Sequence, residues 1–76
     1  MIDLAELRRT AGITQVQLAD ALATSQGQIS RIESQRDMLL STLAAYLAAL
    51  GADAQIVVEV GGQTLAYDLT SGRGDR

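Results

Sequence analysis

Residues 14–33 read TQVQLADALATSQGQISRIE, two short helical segments that each open on a hydroxyl residue followed by glutamine. In the first, Val16, Leu18, Ala19 and Leu22 recur at helical spacing, and the Thr14 hydroxyl can accept from a free amide of the opening turn. Ala19 falls on the apolar face, where a methyl-sized side chain lets a second helix cross closely. Ala23 and Thr24 interrupt the pattern. Ser25 then caps a second helix that turns Ile29 and Ile32 to the core and leaves Gln26, Gln28, Ser30 and Arg31 on its other faces.

Those four side chains suit the edges of base pairs. Glutamine can pair with N6 and N7 of adenine, arginine with O6 and N7 of guanine, and serine can serve a base or a phosphate. They cluster near a helix N-terminus, whose free amides and dipole favour phosphate. Thr14-Gln15, Leu18-Ala19, Ser25-Gln26 and Ile29-Ser30-Arg31-Ile32-Glu33 resemble the helix-turn-helix domains of the phage-repressor class, the XRE family, over residues 3 to 51. The resemblance implies a mainly α fold: a four-helix, repressor-like helix-turn-helix bundle. It also implies that Arg8 on the first helix pairs with Glu33, the acid that ends the recognition helix. Such a pair either locks the two helices together or is a solvated surface contact of under about 1 kcal/mol. One position departs from the family. The turn between the two helices usually holds glycine and an aliphatic residue, and here it holds Ala23 and Thr24; alanine in a left-handed conformation costs roughly 1 kcal/mol, so the expected turn is either strained or slightly rearranged. Gly27, inside the first turn of the recognition helix, serves either close approach to DNA or nothing in particular, and the second is the favoured reading.

Before this core, Asp3 and Glu6 form a capping box, Leu4 and Leu7 begin an apolar stripe, and Gly12 closes the first helix. After it, residues 34–40 form a polar loop and Ser41 caps a fourth helix. Leu43, Ala44, Leu47 and Leu50 make the apolar stripe of that helix, with Tyr46 at its margin. It has no charged residue, so part of it, Leu47 included, is expected in a subunit interface, with a plain alanine-rich surface as the competing account.

Beyond Asp53 the period changes to two. Ile56, Val58 and Val60 alternate with Val57 and Glu59, Gly61-Gly62 makes a two-residue turn, and Leu65, Tyr67 and Leu69 return on the first face. The turn pairs Val58 with Leu65 and Ile56 with Tyr67. A lone two-stranded hairpin is marginal in water, and a second copy would cover it. Leu47, Ile56, Val57, Val58, Val60, Leu65 and Tyr67 are therefore the expected dimerisation residues. The chain divides into a DNA-binding domain at 1–51, a C-terminal two-stranded β-hairpin at 54–70, and a Gly-rich polar tail at 71–76 that is expected to be disordered.

Composition narrows the function. The 76 residues contain no cysteine and no histidine, which removes disulfides, thiolate metal sites and the usual catalytic base, so neither an enzyme nor a metal or cofactor is expected. A domain this small holds roughly 3 to 5 kcal/mol of stability. No apolar run spans a bilayer and no signal peptide opens the chain, so the expected location is the cytoplasm, away from membranes. The net charge of −3 argues against an indiscriminate nucleic-acid binder, but Arg8, Arg9, Arg31 and Arg36 all fall in the first half.

The expected function is a homodimeric repressor on a palindromic double-stranded operator. Gln26, Gln28, Ser30 and Arg31 would read bases, and Gln15, Ser25, Ser34, Gln35 and Arg36 would hold phosphates. The helix-turn-helix followed directly by a hairpin resembles antitoxins of the HigA and HipB kind, which implies a cognate toxin as partner and repression of the pair's own promoter. The alternatives are a stand-alone XRE-type regulator and an interaction module that has lost DNA binding.

Overall fold

The computed structural model describes residues 2–70. Four helices precede a hairpin: α1 (Leu4–Thr10), α2 (Gln15–Ala21), α3 (Gln26–Ser34), α4 (Leu40–Ala49), β1 (Gln55–Val60) and β2 (Gln63–Asp68). The expected order and number of elements are those observed. The expectation for residues 71–76 lies outside the described residues.

Three helices start where a side-chain oxygen meets a free amide. Asp3 accepts from the Glu6 N–H at 3.0 Å, Thr14 from the Gln17 N–H at 3.1 Å, and Ser25 from the Gln28 N–H at 3.1 Å. At α2 the Gln17 side chain also accepts from the Thr14 N–H at 2.8 Å, so the reciprocal capping box is here. At α1 only the Asp3 half of the expected box forms. The fourth start differs from expectation. Leu39 precedes α4 with no side-chain cap, and Ser41 lies inside the first turn. Packing sets this boundary, because Met38 and Leu43 rest against the core and hold the turn that a capping bond would otherwise hold.

Leu4, Leu18, Ala19, Ile29, Ile32, Tyr46, Leu47 and Leu50 form the core where the four helices meet. Three residues of the expected stripes do not join it, one of them Ala44 of α4, which is half-buried and outside the cluster. Val16 is 53% exposed, since a residue two positions before Leu18 is rotated about 200° from it. Leu7 lies half out at the margin, and Arg8 takes the inward position beside Leu4 instead. Two residues of α4 are also more deeply placed than expected. Tyr46 is completely buried, and Leu47, only 5% exposed, packs into its own chain's core and is not available to a second subunit. The physical reason is the stripe itself: 43, 46, 47 and 50 are spaced three and four apart, which puts Tyr46 and Leu47 on the same inward face.

Between α2 and α3, Ala23 takes φ +55°, the left-handed one of the two arrangements expected there. The Thr24 N–H then reaches the Ala19 carbonyl at 2.9 Å and closes the helix end. Ala23→Gly is expected to raise stability by up to about 1 kcal/mol, the relief of the Cβ clash less glycine's larger unfolded-state entropy. A denaturation midpoint that stays put or falls would mean the turn carries no such strain.

The hairpin has the expected register, with Ile56 opposite Tyr67, Val57 opposite Ala66, Val58 opposite Leu65 and Glu59 opposite Thr64. Gly61 and Gly62, at φ +59° and +78°, supply the two positive angles that a two-residue turn of this hand requires. Its base is tied to the bundle. The Leu69 N–H donates to the Ala54 carbonyl at 2.9 Å, the Ala54 N–H donates to the Thr70 hydroxyl oxygen at 3.1 Å, and Ala52, Ala54 and Leu69 pack against the core. Farther out, Val57, Val58, Val60, Leu65 and Tyr67 are exposed.

Candidate nucleic-acid interface

Ile29 and Ile32 anchor α3 by its inner face, and the 3.6-residue period then turns Gln26, Gln28, Ser30 and Arg31 outward, all exposed. Of the expected phosphate contacts, Ser25, Ser34, Gln35 and Arg36 are exposed at the two ends of the same helix, and Gln15 approaches from the start of α2. The Ser25 oxygen is already the N-cap acceptor, and the Ser34 hydroxyl donates to the Arg31 carbonyl at 2.9 Å. A Cβ at Gly27 would meet only the Ser25 Oγ, at 3.9 Å, so nothing within the chain requires glycine there.

Beneath this surface lies a buried ion pair. Glu33 Oε2 accepts from Arg8 Nε at 2.6 Å and from the Tyr46 hydroxyl at 2.6 Å; Oε1 accepts from Gln15 Nε2 at 2.9 Å and from Arg8 Nη2 at 3.4 Å. Arg8 Nη1 also donates to the Ile13 carbonyl at 3.0 Å. The pair joins α1 to α3, both side chains are largely buried, and the solvated alternative is thereby set aside. Two further donors, Tyr46 and Gln15, add to the two that Arg8 supplies and satisfy what the ion pair alone would leave open. Tyr46 is the member sequence reasoning placed wrongly. Its position on the inward stripe was the available signal, since a buried tyrosine needs a polar partner for its hydroxyl.

Burial pushes the Glu33 carboxyl upward, but hydrogen bonds from Arg8, Tyr46 and Gln15 and the Arg8 charge outweigh it and hold the group below the usual 4.5. The hydrogen bond to Glu33 raises the Arg8 guanidinium against the opposing effect of burial. Burial first, then the neighbouring carboxylate, keeps the Tyr46 phenol protonated well above its ordinary range. A carboxyl whose pKa is lower folded than unfolded stabilises the fold above its unfolded value and ceases to as pH falls through the folded value. Thermal midpoints should therefore drop on acidification below about pH 4.5, and Glu33→Gln should flatten that dependence. Equal acid sensitivity in the variant would assign the effect to other carboxylates.

With Glu33 drawn inward and neutralised, residues 24–36 show Arg31 and Arg36 at the surface and no exposed acid. The acidic chain thus presents a locally basic face at α3. Among the described residues there is no group of acidic side chains arranged to hold a metal ion, and no helix is long and apolar enough to cross a membrane.

A family model described as a helix-turn-helix domain matches residues 2–59. Two solved structures are similar over most of their length. A HigA antitoxin described for induced DNA bending by a unique dimerisation shares 37% identity and a TM-score of 0.75, with 87% of this chain and 92% of that chain covered. The DNA-bound antitoxin HigA3 shares 38% identity and a TM-score of 0.78, covering 87% and 88%. The chain belongs to the HigA-type helix-turn-helix family. No curated protein matches it. In this HigA-type chain the resemblance read from residues 14–33 extends beyond the four helices, since the matched family model runs to residue 59.

Proposed function

We propose that the protein is a homodimeric, sequence-specific DNA-binding repressor that serves as antitoxin and autorepressor of a type II toxin–antitoxin pair. The observation that carries this reading is the division of α3 into a buried apolar face and a wholly exposed face of Gln26, Gln28, Ser30 and Arg31. In the complex, α3 lies in the major groove, those four side chains face base edges, and Gln15, Ser25, Ser34, Gln35 and Arg36 face phosphates. The unit at 1–51 engages DNA and the hairpin at 54–70 joins the second copy. Ile56, Val57, Val58, Val60, Leu65 and Tyr67 remain the dimerisation surface, with Leu47 withdrawn from it. Two copies then meet half-sites about 34 Å apart. The toxin partner is supported by kinship with HigA antitoxins.

The test is binding of the purified protein to its own promoter duplex at two salt concentrations, alone and with the product of the adjacent reading frame. Specific binding should weaken with salt, and Arg31→Ala should cost roughly 1 to 3 kcal/mol of it if the guanidinium reads a base. A neighbouring product that neither binds the protein nor alters repression would leave a stand-alone regulator. No specific binding under any condition would favour an interaction module.

A further inference from the structure

The hairpin is a two-stranded sheet, so both of its strands are edges. Residues of an antiparallel strand alternate between those that bond to the neighbouring strand and those that turn their N–H and C=O groups away. The phase is fixed at both ends of the hairpin. Val60 and Gln63 close the two-residue turn, and at the base the Leu69 N–H donates to the Ala54 carbonyl, in step with the same register. Residues 54, 56, 58 and 60 thus bond toward β2, and Gln55, Val57 and Glu59 direct their backbone groups outward from β1. Thr64, Ala66 and Asp68 do so from β2. Val57 is the one large apolar side chain on the face it shares with these residues, and it is 57% exposed there. A hairpin that buries only its other, apolar face leaves Val57 without cover.

We propose that two copies join edge to edge through β1, antiparallel and with Val57 on the two-fold axis, in one four-stranded sheet whose inner strands are the two β1 strands. On that axis Val57 meets Val57 of the second copy, and Gln55 lies opposite its Glu59, so all three outward residues of each β1 are paired. A β-branched pair at the centre is a favourable cross-strand contact, and an amide beside a carboxylate can donate to it. Gln55 has an N–H for this, since only one is given to Asp68, at 3.1 Å. Other registers do worse. An axis on Val58 leaves Gln55 beyond the end of the neighbouring strand, and an axis on Glu59 sets two carboxylates face to face. Joining through β2 would centre on Ala66 and leave Val57 outside. The axis through Val57 also keeps both apolar faces on one side, where Tyr67 and Ile56 continue into Val58 and Leu65 of the second copy as one apolar row. The inference rests on the reading of the hairpin as the dimerisation surface and specifies which edge meets which.

The test starts from the wild-type protein, whose mass in solution is measured by ultracentrifugation and whose amide exchange is measured where it is dimeric. Exchange should be at least about tenfold slower at Gln55, Val57 and Glu59 than at Thr64, Ala66 and Asp68. The chain has no cysteine, so a single replacement places one thiol in each copy. Val57→Cys should form a covalent dimer on mild oxidation, because paired Cα atoms about 5.5 Å apart are within disulfide reach. Ala66→Cys should not, since the two β2 strands then lie three strand spacings apart, roughly 14 Å. Slow exchange or cross-linking on β2 in place of β1 overturns the choice of edge, and a dimer that exchanges equally fast on both edges overturns edge pairing, while the dimer reading stands. Slow exchange on β1 without a cross-link at Val57→Cys overturns the register. A wild-type protein that stays monomeric overturns both the inference and the dimer reading.

Discussion

Glu33→Ala is expected to remove about 3 to 5 kcal/mol of folding stability, as much as a domain of this size holds, and so to leave the chain largely unfolded at room temperature. The cost comes from what stays behind. Arg8 is 9% exposed and would keep its charge in a site that no longer offers an acceptor for Nε. The Tyr46 hydroxyl would retain only the Leu4 carbonyl, 3.2 Å away, and Gln15 would lose its inner partner. Arg8→Ala should cost a comparable amount for the converse reason, since it strands a carboxylate in the interior. The two losses share one interaction, so the double variant should be far more stable than their sum predicts. Chemical denaturation of the four proteins measures this. Strict additivity, or a Glu33→Ala variant within about 0.5 kcal/mol of wild type, would mean that solvent already screens the pair.

Leu18→Ala should cost about 2 to 5 kcal/mol, the lost burial of the side chain plus the cavity it leaves. Leu18 has no exposed surface and belongs to the cluster where α1, α2, α3 and α4 meet, so its truncation opens a cavity inside the core. The helices cannot simply close over the gap, because the capped starts of α2 and α3 and the Arg8–Glu33 pair fix their relative positions. Val16→Ala on the same helix is the control. It removes two methyl groups from a side chain that is mostly in water, and it should change stability by no more than about 0.5 kcal/mol. Comparable losses at the two sites would contradict the orientation of α2. Binding to DNA should follow stability, lost in Leu18→Ala wherever the variant is unfolded and retained in Val16→Ala.

The local features were legible because neighbours in sequence settle them. Thr14 and Ser25 cap α2 and α3 through amides three residues on, and the Gly61-Gly62 turn fixes a register that sets Ile56 opposite Tyr67 and Val58 opposite Leu65. The reading surface at Gln26, Gln28, Ser30 and Arg31 was legible for the same reason, as the remainder left once Ile29 and Ile32 are assigned inward. Ser41 shows where that logic ends: a good capping residue was available, and the helix began two residues earlier than that cap would set it, without a capping bond.

By itself the sequence determined which segments are helical, where the hairpin turns and which face of α3 is left in water, because each depends on groups a few residues apart. Tertiary structure decided that Val16 faces out while Arg8 and Tyr46 face in, that Leu47 belongs to its own core, and that Glu33 gathers Arg8, Gln15 and Tyr46 around one carboxylate. A buried charge is tolerable only where every partner arrives together, and these partners come from the three helices other than the one that carries Glu33.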